Sequence, residues 1–332
     1  FLAGLAGYTL AMVAFAFSDQ VWALIVARVL QGIASSFMWL AAYTTIADLA
    51  KIGQRGRAFG DIIQASTRGN IAGVFAGFFL LQTGLQIGDR QHELGGWTTM
   101  FLAFAFIGVF ALVLAWRNLP ETKPQAESGE ATTIRWSRPW ILLLLVTLVT
   151  GASWAMISPL LIIFLQETLD VGVETLAWAY FPSALVWALL PSHLGTLADR
   201  FGRKPLMVLG LVAAAAGSFF LPSLPTVTAF AALWAVLALC FAAGDPAEQA
   251  LVADLTDYDR RGRAYGLYAM ANDLGATIGP LGGAWLYQHL GANTPFYANS
   301  ALLALCALLL ALFLRLPAGT ATTRETGTAP VN

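Results

Sequence analysis

The chain has 332 residues, of which 58% are hydrophobic and 11% charged, and its net charge is −1. Soluble globular domains carry roughly a quarter charged residues, so a chain this poor in charge cannot cover itself with polar surface in water. That excludes a soluble fold. Apolar stretches of about 20 residues, long enough to cross a hydrocarbon core of roughly 30 Å as helices, recur along nearly the whole length, and they point to an all-α polytopic membrane protein.

Ten such runs are predicted. The first, residues 1–17, is shorter than a full span and has neither an initiator Met nor a basic leader, so it reads as a helix whose beginning is absent rather than as a signal peptide. The second, residues 21–47, carries Arg28 and Gln31 and closes on Asp48. The third, 58–82, follows Arg55-Gly56-Arg57 and contains Asp61 and Arg68; the fourth is 97–116. A polar stretch with Glu121, Lys123, Pro124, Glu127 and Glu130 then reads as a linker over 117–139. Six runs follow, at 140–166, 176–197, 205–222, 226–250, 264–289 and 295–314, and a polar tail closes the chain. The expected plan is an N-terminal bundle over 1–116, a cytoplasmic linker, a six-helix C-terminal bundle over 140–316 and a cytoplasmic tail over 317–332.

Lys and Arg near helix ends are retained in the cytoplasm. With the loop after the second run inside, alternate loops and the tail hold all of the 18 basic residues except Arg28, Arg68 and Arg90. Both chain ends then lie in the cytoplasm. Cys240 and Cys306 fall within predicted helices and read as small apolar fillers. His92, His193 and His289 have no ligand spacing. Neither a metal site nor a nucleic-acid surface is expected.

The chain contains an internal repeat. Ala47-Asp48-Leu49 with Arg55-Gly56-Arg57-Ala58-Phe59-Gly60 returns as Ala253-Asp254-Leu255 with Arg261-Gly262-Arg263-Ala264-Tyr265-Gly266, at one constant offset. Runs two and three thus match runs eight and nine. Each aspartate closes a helix and each Arg-Gly-Arg opens the next, so an ion-pair network at the inner face is expected, beside plain positive-inside anchoring.

The loop Gly195-Thr-Leu-Ala-Asp199-Arg200-Phe-Gly202-Arg203-Lys204-Pro205 resembles the signature loop of the major facilitator superfamily, G-x-x-x-D-R-x-G-R-K, in its position between family helices eight and nine. The glycines suit a tight loop, and Asp199 ends one helix near the N-terminus of another, whose positive dipole end favours a carboxylate. Arg263 and the helix starting at 264 are its expected partners. Under the twelve-helix plan that the resemblance implies, two helices are missing from the first half, and the partner loop of the first repeat copy would lie upstream of Phe1.

Two further stretches follow family patterns. Arg28-x-x-Gln31-Gly32 matches the R-x-x-Q-G of family helix four; Arg28, Gln31 and Trp39 share one helical face. An arginine at this depth costs at least roughly 2.5 to 3.5 kcal/mol and should meet water or a carboxylate. The resemblance implies proton coupling or substrate contact for it; a structural ion pair is the other reading. The glycine spacing of the antiporter signature is met by Gly60, Gly69, Gly73 and Gly77, but Val74 replaces its Pro and Phe78 its last Gly. The second copy is better, with Gly266, Gly275, Gly279, Pro280 and Gly283. Glycines four apart let helices approach closely.

Among intramembrane acids, Asp245 and Glu248 share a face with Trp234 and Phe241, and they are candidates for a protonatable or cation-binding site, with gating or loop packing as the alternative. Asp273 lies deeper in its own run. The resemblance implies a cavity in which Arg28, Gln31 and Trp39 face Trp154, Ser158, Trp234 and Phe241. It also implies a cytoplasmic gate built from Asp48, Arg55, Arg57, Gly195, Asp199, Arg200, Gly202, Arg203, Lys204, Asp254, Arg261 and Arg263.

The functional expectation is a secondary active transporter of the plasma membrane working by alternating access, with proton-coupled efflux of amphiphilic organic molecules. It is expected to be a monomer in the bilayer with a small-molecule substrate and no cofactor. No phosphate-binding P-loop occurs in the sequence, so transport would draw on an ion gradient. Symport of a metabolite or organic anion is the runner-up, and a non-transporting truncated product stands outside transport. An enzyme is not expected, since no activated nucleophile or acid-base pair is evident.

Overall fold

The computed structural model describes residues 1–51, 53–87, 96–119, 136–257 and 260–314. Most of the expected linker and all of the expected tail lie outside them. The described residues form eleven α-helices: α1 (Leu2–Ala16), α2 (Val21–Leu49), α3 (Arg55–Ile87), α4 (Gly96–Asn118), α5 (Arg138–Leu169), α6 (Val173–Leu189), α7 (Pro191–Phe201), α8 (Arg203–Phe220), α9 (Val227–Asp254), α10 (Arg261–Leu290) and α11 (Thr294–Phe313). Six stretches, α2, α4, α5, α8 with the 3-10 turn after it, α9 and α11, are long and apolar enough to cross a membrane.

The run expected as one helix over 176–197 is two. Pro191 opens α7 directly after Leu190, whose ψ of −21° still belongs to the end of α6, and a proline N–H is missing where the ladder would continue. Pro159, Pro182, Pro246 and Pro280 sit inside α5, α6, α9 and α10 without ending them.

The chain divides into two compact units, residues 1–48 with 66–129, and residues 49–65 with 130–332. In the first, α1 packs on α4 through stacked Phe15 and Phe101, 5.2 Å apart, and Trp97 Nε1 donates to the Phe15 carbonyl at 3.0 Å. Gly4 admits α2, since a Cβ there would lie 2.6 Å from Met38 N. The opening turns of α3, expected in the N-terminal bundle, group with the second unit.

The second unit is organised by a seam between α5 and α10. Gly275, Gly279 and Gly283 place the α10 backbone against Leu148, Ala152 and Met156 of α5, and Gly151 of α5 admits Asn272 in return. Any side chain at these glycines would meet main-chain atoms. A second cluster, with Leu161 of α5, Leu176 of α6, Phe230 of α9 and Phe296 of α11, joins those four helices, and Asn299 of α11 donates to Ser218 of α8 at 2.8 Å. The first-copy glycines differ: nothing lies within 4 Å of a Cβ at Gly69 or Gly73, and Gly77 meets only the side chains of Met100 and Phe104.

The seam makes a direct prediction. Gly275→Val would drive its side chain into Leu148 and Ala152, and overpacking of this kind costs typically 1–3 kcal/mol, so thermal unfolding in detergent should shift several degrees down. Gly282→Val, at a position with nothing within 4 Å, is the control and should unfold as wild type.

Candidate functional site

Where α7 turns into α8 in the second unit, each residue of the signature loop has a distinct physical task. Gly195 lets α7 touch the backbone of α3 at Gly56, and a Cβ on either glycine would collide with the other helix. Four residues on, Asp199 accepts the Gly56 N–H on Oδ1 and the Arg57 N–H on Oδ2, each at 2.9 Å. Those N–H groups belong to the first turn of α3 and have no partner within their own helix, so the carboxylate caps it and meets the positive end of its dipole. Gly202, at φ +95°, makes the turn between α7 and α8 that an L side chain would strain. Arg203, the first residue of α8, then reaches both Asp199 and, at 3.2 Å, Asp254 at the end of α9.

Asp254 is the meeting point of the cluster. Its Oδ1 takes Arg55 Nη1 at 2.6 Å and its Oδ2 takes Arg203 Nε. The four side chains are only 8–12% exposed, so the charges are largely withdrawn from water and each depends on the others. Gly60 lies against Pro191, and Gln64 of α3 accepts the Ser192 N–H at 3.3 Å, which caps α7 in turn. The cluster ties α3, α7, α8 and α9 together.

This corrects one expectation. Asp199 caps α3, the first repeat copy, rather than the helix containing Arg263, which is exposed. Asp254 pairs with Arg55 of the first copy and with Arg203. The two copies present the same Arg-Gly-Arg chemistry, and packing selects between them. In each copy the first arginine, Arg55 or Arg261, is buried and the second, Arg57 or Arg263, is exposed. Arg200 lies over the Phe201 ring, Lys204 is half-buried, and Asp48 is half-buried in the first unit.

Further into α9, Asp245 and Glu248 are half-buried either side of Pro246. Glu248 Oε1 accepts from the Thr147 hydroxyl of α5 at 2.6 Å, and the Tyr268 hydroxyl of α10 also bonds the carboxylate. Among the described residues neither acid forms an ion pair. Toward the other end of α9, Trp234 stacks on Phe230 at 5.4 Å, meets Tyr180 edge-on at 5.7 Å and stacks with Trp154 of α5 at 6.4 Å. Trp154 and Ser158 are exposed one turn apart, and Phe241 is half-buried between the acids and the aromatic group along α9. Asp273 is exposed and accepts only a long bond, 3.3 Å, from Asn272.

In the first unit, exposed Arg28 donates to Gln31 Oε1 at 2.6 Å, and Gln31 Nε2 donates to Tyr8 of α1 at 3.2 Å. Trp39 lies 5.5 Å from Tyr43 on the same helix. Sequence reasoning missed Tyr8, Thr147, Tyr180 and Tyr268. A lone hydroxyl in an apolar run is the signal they share.

Two overlapping stretches, residues 1–192 and 143–330, match the family model described as Major Facilitator Superfamily. The chain belongs to that superfamily. Its relatives include the chromaffin granule amine transporter of Rattus norvegicus, 27% identical over 83% of this chain and 52% of the relative. The multidrug resistance protein MdtH of Yersinia enterocolitica is 36% identical over 44% of the chain and 37% of the relative. The chain spans about half the length of the amine transporters it matches. Among solved superfamily folds, the human organic anion transporter MFSD10 (TETRAN) superposes with TM-score 0.70 at 17% identity, covering 93% of this chain and 76% of that one. The proton:xylose symporter XylE gives 0.71 at 16%, covering 94% and 79%.

The capping geometry predicts that Asp199→Asn loosens the contact between α7 and the first turn of α3. Charge-assisted bonds are worth roughly 1.5–3 kcal/mol each. A cysteine replacing buried Ala198, in a background without Cys240 and Cys306, should therefore react roughly tenfold faster with a cytoplasmic maleimide once Asp199 is neutralised.

Proposed function

We propose that this chain acts as a secondary active transporter of the plasma membrane, exporting amphiphilic organic cations in exchange for protons by alternating access. The observation that carries this is the pair of carboxylates on α9, Asp245 and Glu248, with no cationic partner among the described residues. An ionisable group inside a membrane must be paired, hydrated or neutral. Without a basic partner, these acids can satisfy that demand by taking up a proton or by meeting a cationic substrate. Competition between the two is the chemistry that couples opposed fluxes.

The aromatic group supports the substrate class. The Trp154, Tyr180 and Trp234 rings offer faces that attract an organic cation while excluding a strongly hydrated ion. The chain's relatives, among them an amine transporter and a multidrug resistance protein, fit a substrate of this kind. Arg28, bonded to Gln31, which in turn donates to Tyr8, supplies a fixed positive charge in the first unit, and we assign it to coupling rather than to cation binding. The cluster at Asp254 serves as the cytoplasmic gate in this reading.

In everted membrane vesicles acidified inside, tetraphenylphosphonium should accumulate and should leave when the proton gradient is collapsed. Glu248→Gln should abolish gradient-driven accumulation while substrate counterflow persists. Arg28→Ala should abolish transport with normal membrane insertion. Accumulation in right-side-out vesicles under an inward proton gradient would replace efflux by symport.

A further inference from the structure

We infer that Thr147 and Tyr268 are positioning residues that hold Glu248 in both of its protonation states and set the pH at which it exchanges its proton. This rests on the reading of Glu248 as a coupling carboxylate. The geometry is specific. Thr147 is 1% exposed, and its Oγ1 lies 2.6 Å from Glu248 Oε1 and 2.9 Å from the Leu143 carbonyl one turn earlier. It has one proton and two possible acceptors. A hydroxyl both donates and accepts, so it can serve either form of the acid. When Glu248 is ionised, Thr147 donates to it. When Glu248 has taken a proton from water, the Thr147 proton can turn to Leu143 and Oγ1 can accept from the carboxylic acid. Tyr268 gives a second donor to the carboxylate from α10.

The two hydroxyls come from the pair of helices that the glycine seam locks together. Gly151, Gly275 and Gly279 fix the α5 and α10 backbones against each other, so Thr147 and Tyr268 move as one body. Glu248 belongs to α9, two residues beyond Pro246, where the missing proline N–H leaves the helix free to bend. The carboxylate therefore reports the position of α9 against a rigid frame. Of the charged and titratable groups around it, α9 contributes Asp245 one turn away and α10 contributes Tyr268. Arg203 of α8 is engaged by Asp199 and Asp254, and Tyr180 of α6 belongs to the aromatic group.

The test needs no substrate. The protonated-carboxyl infrared band that disappears in Glu248→Gln is titrated with pH in the full chain reconstituted in lipid. Donors favour the charged form, so removing both with Thr147→Val plus Tyr268→Phe should raise the midpoint of that band by about one pH unit or more. Thr147→Ser, which keeps the hydroxyl, should titrate as wild type. A double variant with the wild-type midpoint overturns the positioning role and leaves the coupling reading intact. If no band lost in Glu248→Gln titrates between roughly pH 5 and 9 in the wild type, the coupling reading fails and the positioning role fails with it.

Discussion

A charge withdrawn from water into a low-dielectric interior must find an opposite charge, find enough hydrogen bonds, or be neutralised, an acid by gaining a proton and a base by losing one. That single constraint sorts the polar residues of this chain. Asp199, Arg203, Asp254 and Arg55 solve it by mutual pairing, with helix N–H groups taking what the guanidinium groups leave. Arg28 solves it with Gln31 and an exposed position. Among the described residues Glu248 has hydroxyl partners and no cation, and hydroxyls, unlike arginines, can bond an acid as well as its anion, the anion more strongly.

The distinction separates structure from function within one helix. The end of α9 is held by two guanidinium groups through Asp254, while two turns earlier the same helix carries acids that nothing locks into one charge state. In the proposed function, Pro246 and the aromatic group make this the segment on which a proton, a cation and a conformational change act together. The α5–α10 seam supplies the fixed reference against which such a change occurs, because glycine backbones in contact leave no slack for sliding.

Much of this was legible in the sequence. The low charge and recurring apolar runs gave the membrane class, and the spacing from Gly195 to Lys204 marked both the family and the loop whose glycines and aspartate the structure places in contact. The pairing partners were not legible. Arg55-Gly56-Arg57 and Arg261-Gly262-Arg263 carry the same residues, so only three-dimensional packing against Gly195 and Pro191 decides which helix Asp199 caps. The division of one predicted run into α6 and α7 was equally hidden, because Pro182 and Pro246 lie inside intact helices whereas Pro191 opens a new one. Thr147 and Tyr268 read as ordinary members of their helices until the fold brought them to Glu248.

The comparison that tests the account most directly is the thermal unfolding, in one detergent and at one pH, of Asp254→Asn beside Glu248→Gln. Removing one member of a buried ion cluster strands its partners at a cost of roughly 3–5 kcal/mol, so Asp254→Asn should unfold several degrees below wild type. Glu248→Gln, which keeps an acceptor for both hydroxyls and removes a charge that has no counter-ion among the described residues, should unfold at or above the wild-type temperature. The opposite ranking would contradict the division between a paired structural charge and an unpaired functional one.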